Sequence, residues 1–254
     1  MKKTVTQRYI NFIILHPWRI LLLSLLVVMA AGSGGRFIEF TNDYRVFFSE
    51  DNPELQAFEA MQNIYTKTDN VLFVIAPESG DVFQVDTLTM VAELTEQSWQ
   101  IPYSTRVDSI TNFQHTVADG DDLLVGDLVE DVSSMSADDM SEIRQIVLNE
   151  PLLAQRLISP SGQVTGINVT VQLPGKSLTE VPEVAEFARQ TAATLEAKYP
   201  HHRIYITGIV MMNNAFGESA QNDMATLVPM MFVTIIVVLG LLLRSFSATV
   251  SSVV

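Results

Sequence analysis

Three groups of side chains in this 254-residue sequence have the types that chemistry needs. Asp108, Ser109 and His115 supply the carboxylate, hydroxyl and imidazole of a hydrolytic triad. Such a serine needs a strained Gly-x-Ser-x-Gly elbow to present its oxygen, and Val107-Asp108-Ser109-Ile110-Thr111 has none. The segment reads instead as a strand entering a polar loop. His201 and His202 offer ring nitrogens to a metal, but adjacent side chains diverge and no third ligand lies at motif spacing, so a surface turn is expected. Asp119, Asp121, Asp122, Asp127, Glu130 and Asp131 could gather a cation by charge. They lack the order of an EF-hand loop and its closing Glu, which leaves a solvated hairpin as the expectation. Cysteine is absent, which removes thiolate ligands and disulfides. A phosphate-cradling glycine loop is absent too, so ATP is not an expected energy source. No catalytic, cofactor-binding or metal-binding residue is assigned, and the chain reads as something other than an enzyme.

The elements that would carry these groups divide by charge. The formal net charge is −14, and all 29 acidic residues fall between Glu39 and Asp223. The two ends carry Lys2, Lys3, Arg8, Arg19, Arg36 and Arg244 and no acid. An acidic middle without clustered Lys and Arg excludes nucleic acid as a partner. Only 17% of residues are charged, below the ~25% of soluble domains, and mean hydropathy is +0.24. This excludes a disordered chain and argues against an ordinary soluble enzyme.

Met224–Leu243 is an uncharged run of twenty residues. As a helix it spans roughly 30 Å, the thickness of a hydrocarbon core, and it is apolar all round. The run Ile20–Gly35 is shorter, about 24 Å as a helix. It becomes a full span only by extension through Phe37 and Ile38, across Arg36. Trp18 and Arg19 suit an interfacial anchor. The alternative is a cleaved signal sequence, with Ile20–Ala31 as its apolar region and Ala-Ala-Gly-Ser as the cleavage site. The long stretch before that region, with its own apolar patch Tyr9–Leu15, favours a retained helix. The positive-inside rule then puts both ends in the cytoplasm. The expected order is a cytoplasmic tail (1–19), a first span (20–38), an extracytoplasmic domain (39–223), a second span (224–243) and a cytoplasmic turn (244–254).

The middle reads as α+β. Asn52-Pro53-Glu54 gives an N-cap, a first-turn proline and an early acid, followed by Leu55, Phe58, Met61 and Tyr65 at helical spacing. Asp86 is expected to cap a second helix bearing Leu88, Val91, Thr95 and Trp99. Ser136 and Asp139 have capping-box spacing ahead of Met140, Ile143 and Val147. A further helix over 181–198 carries Val184, Phe187, Ala188, Thr191 and Leu195. Val71–Ala76 reads as a central strand. Arg106–Asn112 is another strand, Arg156–Ser159 and Gln163–Leu173 form a hairpin, and Ile204 and Ile206 mark a last strand. Strand, helix, strand, an insertion at 113–158, then strand, helix, strand is the order of a ferredoxin-like split βαβ sandwich.

The segment Asn42-Asp43-Tyr44-Arg45-Val46-Phe47-Phe48-Ser49-Glu50-Asp51-Asn52-Pro53, soon after the first apolar run, resembles the same region of RND superfamily exporters of the MMPL-like branch. Thr207-Gly208 before the second run and Leu243-Arg244-Ser245-Phe246 after it are similar as well. The resemblance implies an inner-membrane exporter of hydrophobic or lipid-like molecules driven by the proton motive force. This chain would supply the first span, the periplasmic porter domain and the second span, with Ser247–Val254 approaching a third. The implied partners are the lipid bilayer, the cargo, the rest of the transporter and possible further copies of the chain. The family's proton-relay carboxylates lie in later spans, and no position here matches them. Asp43 and Arg45 read as solvated linker charges rather than a gating pair. Phe47 and Phe48 read as packing anchors, and Met211, Met212 and Phe216 as a core-facing helix rather than the lining of a passage. The residues that touch cargo are not assigned. Two other functions fit the same pattern: a two-span sensor or adaptor with an extracytoplasmic ligand-binding domain, and a secreted hydrolase.

Overall fold

The structure, a computed structural model, describes residues 15–33, 48–49, 51–65, 69–120, 122–129 and 131–244. It falls into two units, Met1–Thr41 and Asn42–Val254.

The first unit contains α1 (Pro17–Gly32), sixteen residues with no acid in its first turn. It is about 24 Å long, short of a hydrocarbon core. The expected extension to Ile38 lies outside the described residues. Among those residues a single helix is long and apolar enough to cross a membrane, and it is in the second unit.

The second unit opens with α2 (Pro53–Tyr65). The Asn52 side chain caps it, its Oδ1 accepting from the backbone N–H of Glu54 at 2.9 Å and of Leu55 at 3.1 Å. The sheet domain follows: β1 (Asp69–Pro77), α3 (Val85–Ser98), β2 (Ser104–Asp108), β3 (Gln114–Asp119), β4 (Asp122–Asp127), a 3-10 turn (Val132–Ser134), α4 (Ala137–Asn149), β5 (Thr165–Val171), α5 (Glu180–Lys198), β6 (His202–Thr207) and α6 (Ile209–Leu243). Four strands pair in the order β2-β5-β1-β6, every pairing antiparallel. Each βαβ unit, β1-α3-β2 and β5-α5-β6, therefore takes a strand of the other between its own two. β3 and β4 form a separate hairpin within the insertion.

Strand alternation sorts the two faces of the sheet. Val71, Phe73 and Ile75 of β1, Ile167, Val169 and Val171 of β5, and Val107 of β2 are buried in one core. Leu88, Val91 and Leu94 of α3 and Val184, Ala188 and Leu195 of α5 cover that face. A carboxylate ties the entrance of α5. Glu180 is buried and accepts from the backbone N–H groups of Gly175 at 2.7 Å, Lys176 at 2.8 Å and Ser177 at 3.0 Å. Burial pushes its pKa up, but these donors outweigh that and hold it below the ordinary value.

Several expectations change in detail. Gln84, not Asp86, occupies the cap position of α3, and it makes no side-chain cap bond. Asp86 sits in the first turn, where a carboxylate still favours the helix dipole. Trp99 lies past the end of α3 and is half exposed, and Leu94 takes its place in the buried stripe. β2 stops at Asp108 because Ser109 and Asn112 fold the next residues into a side-chain-bonded turn. Arg156–Ser159 is not a strand. The chain there makes only isolated bridges, Ala154 with Ile158 and Ile158 with Thr165. The Ser136–Asp139 capping box forms as its spacing predicts.

Candidate functional site

The sheet domain meets the long apolar helix at a joint built from backbone and amides. Leu72 of β1 stands opposite Thr207, the last residue of β6, and Gly208 starts the turn into α6. Gly208 has φ +114, and a Cβ there would lie 2.4 Å from the Asn70 carbonyl oxygen and 3.1 Å from the Val71 Cα. Only glycine lets the start of the helix rest on the β1 backbone. The Asn70 side chain completes the joint. Its Oδ1 accepts from the Ile209 N–H at 3.2 Å, and its Nδ2 donates to Asn168 Oδ1 at 2.8 Å. One amide thus links β5, β1 and an otherwise orphaned N–H in the first turn of α6. Farther along, Arg189 of α5 makes a forked ion pair with Glu218 of α6, at 2.5 and 3.0 Å, and Asn214 Nδ2 donates to the same carboxylate at 2.8 Å. Val210, Asn213 and Asn214 are buried against the domain. From Met224 onward the large apolar side chains of α6 are exposed, except Leu239, which is partly so. At 35 residues α6 is about 52 Å long, enough to be packed at one end and still span a bilayer with the other.

The second feature lies on the opposite face of the sheet from α3 and α5. A cavity of about 710 Å³ is bounded by Leu72, Asn168, Arg106 and Asp108 on the strands, by Asn112 and Phe113, and by Leu152, Leu153, Arg156 and Leu157 of the insertion. Gly166 of β5 packs closely beside two of these residues, since a Cβ there would lie 3.3 Å from Leu72 Cδ1 and 3.9 Å from Leu157 Cδ2. Arg106 Nε pairs with Asp108 at 2.7 Å.

The chemistry-bearing residues of the sequence do not converge. Asp108 is engaged by Arg106. The Ser109 hydroxyl is buried within 2.8 Å of Thr111 Oγ1 and 2.9 Å of Asn112 Oδ1, as part of the turn. His115 lies on β3 and lines a different hollow, beside Asp127 and Asp139. His201 is exposed and meets Glu78 at 3.2 Å. His202 corrects the surface-turn expectation: it begins β6, is buried, and sits 2.9 Å from Thr87 Oγ1 with its ring edge-on to Tyr199. Burial lowers its pKa, against an opposing pull from the Asp86 carboxylate. Of the acidic stretch, Asp119, Asp122 and Asp127 lie on the β3–β4 hairpin, which also exposes Leu123, Leu124 and Val125, and Asp121 and Glu130 lie outside the described residues. Asp131 caps the 3-10 turn through Ser133. Met211 packs on the core, while Met212 and Phe216 are exposed. Phe48 is half exposed, and Asp43, Arg45 and Phe47 lie outside the described residues.

The sequence pattern of the MMPL family matches residues 49–254, well over half of the chain. The chain belongs to the MMPL family. No curated protein matches it in sequence. MMPL proteins are membrane transporters of the RND type. The matched region begins at Ser49, so of the segment Asn42–Pro53 only its last five residues fall inside it. In this MMPL chain the joint residues Asn70 and Asn168 escaped sequence reading. Each is a polar residue in an apolar strand, which alternation alone assigns to solvent. Gly208 was legible as part of the Thr207-Gly208 pair that carries the family resemblance, but not as the residue on which the helix rests against β1.

Proposed function

We propose that this chain is the periplasmic porter segment of a proton-motive-force-driven MMPL exporter in a bacterial inner membrane. On this reading 20–38 and 224–243 are spans, and 39–223 is a ferredoxin-like domain outside the cytoplasm. The work of this piece is mechanical. Rearrangement in spans beyond this segment moves the membrane part of α6, and the joint at Asn70 and Gly208 passes that motion to the sheet. A hydrophobic or lipid-like cargo then moves along a cleft that the porter domain helps to form. The observation that carries the reading is the continuity of α6, one helix from the buried Val210 to the bare apolar stretch beyond Met224. Neither Ile20–Gly35 nor Met224–Leu243 contains a carboxylate, so proton coupling belongs to other spans of the same polypeptide.

The test is transport by the full-length polypeptide reconstituted in vesicles. An imposed proton gradient drives efflux of a fluorescent fatty-acyl probe, and collapse of the gradient by an ionophore stops it. Gradient-independent or absent efflux by a folded protein would exclude the proposal. The sensor reading has no observation of its own in the structure.

A further inference from the structure

We propose that α6 is docked on α5 by a releasable contact, weakened by the orphan side-chain oxygen of Asn213, so that the helix swings off α5 about its first turn while the sheet domain stays folded. The device rests on the exporter reading for its biological role, but release can be measured without transport.

The residues that α6 turns to the domain recur at helical spacing: Val210, then Asn213 and Asn214, then the half-buried Gly217. An amphipathic helix puts an apolar stripe at such positions. α3 does so with Leu88, Met90, Val91 and Leu94, and α5 with Val184, Ala188 and Leu195. In α6 the apolar packing ends with Val210 and Met211, within one turn of Gly208. The next buried pair is two amides. Asn214 is satisfied, its Nδ2 donating to Glu218 at 2.8 Å. Asn213 is only 6% exposed, and its buried Oδ1 has no hydrogen-bond partner among the described residues. That oxygen has given up water without a replacement, which raises the energy of the docked state relative to one in which water reaches it. The fork of Arg189 on Glu218 opposes release, but both side chains are about half exposed, and such pairs hold weakly. Ala185 lies one turn before Arg189 on the same side of α5, fully buried yet outside the sheet core. The first turn of α6 stays in place, because Val210 is in the core, Asn70 holds the Ile209 N–H and Gly208 rests on β1. Element ends of this kind are where hinges form.

The test measures access to a buried thiol in the full chain, held in zwitterionic-lipid nanodiscs with no proton gradient. The native sequence has no cysteine, so Ala185→Cys and, as a reference in the sheet core, Ala188→Cys each supply one thiol. Maleimide labelling is followed by mass. The thiol at 185 should react at least tenfold faster than the one at 188, since it needs only release of α6 and the other needs the core to open. Adding Asn213→Leu removes the orphan oxygen at similar volume and should slow labelling at 185 about ten- to a hundredfold, the range for a buried unsatisfied polar group. Asn213→Asp keeps the size, adds charge and should speed it several-fold. Labelling at 185 no faster than at 188 would overturn the proposal. So would unchanged or faster labelling at 185 in a folded Asn213→Leu, and unchanged or slower labelling in Asn213→Asp decides the matter the same way if the leucine variant does not fold. Release without gradient-driven efflux would leave the contact standing and remove the exporter reading. Efflux with equal labelling at 185 and 188 would do the reverse.

Discussion

Gly208→Ala is the sharpest perturbation of the joint between sheet and helix. The added methyl would lie 2.4 Å from a backbone oxygen and 3.1 Å from a backbone Cα, neither of which can rotate away as a side chain could. The φ of +114 adds strain for any residue with a Cβ, of order 1–3 kcal/mol. Relief requires the start of α6 to lift from β1, which breaks the bond from the Ile209 N–H to Asn70 and costs about 0.5–1.5 kcal/mol more. Together these give about 2–4 kcal/mol. For a domain of this size that lowers the Tm by about 4–16 °C. The chain has no cysteine, so spin labels can be placed cleanly at Tyr205 on β6 and Gln221 on α6, both exposed. The account expects one narrow distance distribution in the native chain and a broad one in Gly208→Ala, along with the lower Tm. A variant with native Tm and an unchanged distribution would refute the idea that the helix is fixed to the sheet through this glycine.

Other substitutions probe the same architecture. Phe73→Ala empties a fully buried position at the centre of β1 and should cost about 3–5 kcal/mol, read from denaturant unfolding. Arg189→Glu and Glu218→Arg should each loosen the packing of α5 on α6 by at most about 1 kcal/mol, because the pair is half exposed, and the double swap should restore it. His202 has a pKa below its ordinary value because it is buried, so the folded state binds fewer protons than the unfolded state as acid is added. Its contribution is present above the unfolded pKa of about 6.5 and is lost as pH falls through the folded value. Thermal melts should therefore show a decline on the acid side of neutrality that is smaller in His202→Gln. An equal decline in both proteins would mean that His202 is not its source.

How much of this was legible in the sequence depended on which interactions were local. The Asn52 and Ser136–Asp139 caps, the stripe of α5 and the alternation of β5 depend on neighbours a few residues away, and they formed where spacing placed them. The alternation of strands and helices was legible from periodicity, but the interleaving of the two βαβ units, which makes every pairing antiparallel, rests on the long-range pairing of β1 with β5. Long-range contacts were not legible. Nothing near Asn70 in the sequence announces Asn168 or Ile209, and nothing near His202 announces Thr87. Arg156–Ser159 was misread because an apolar pair before Pro160-Ser161-Gly162 looks like half of a hairpin. In the structure its chain folds back on itself through Leu153 and Ala154 instead. The cavity joins strands to an insertion distant in sequence, so the grouping of Arg106 with Arg156 needed the fold.

The placement of the acidic lobe outside the cytoplasm is the claim on which the exporter reading stands, and one labelling measurement addresses it directly. Single cysteines at Gln163, in an exposed turn of the sheet domain, and at Ser247, beyond Arg244, are treated with a membrane-impermeant maleimide in intact spheroplasts. The account predicts immediate labelling at 163, and labelling at 247 only after the membrane is permeabilised. Protection at 163 in intact cells, or equal labelling at both positions before permeabilisation, would contradict it.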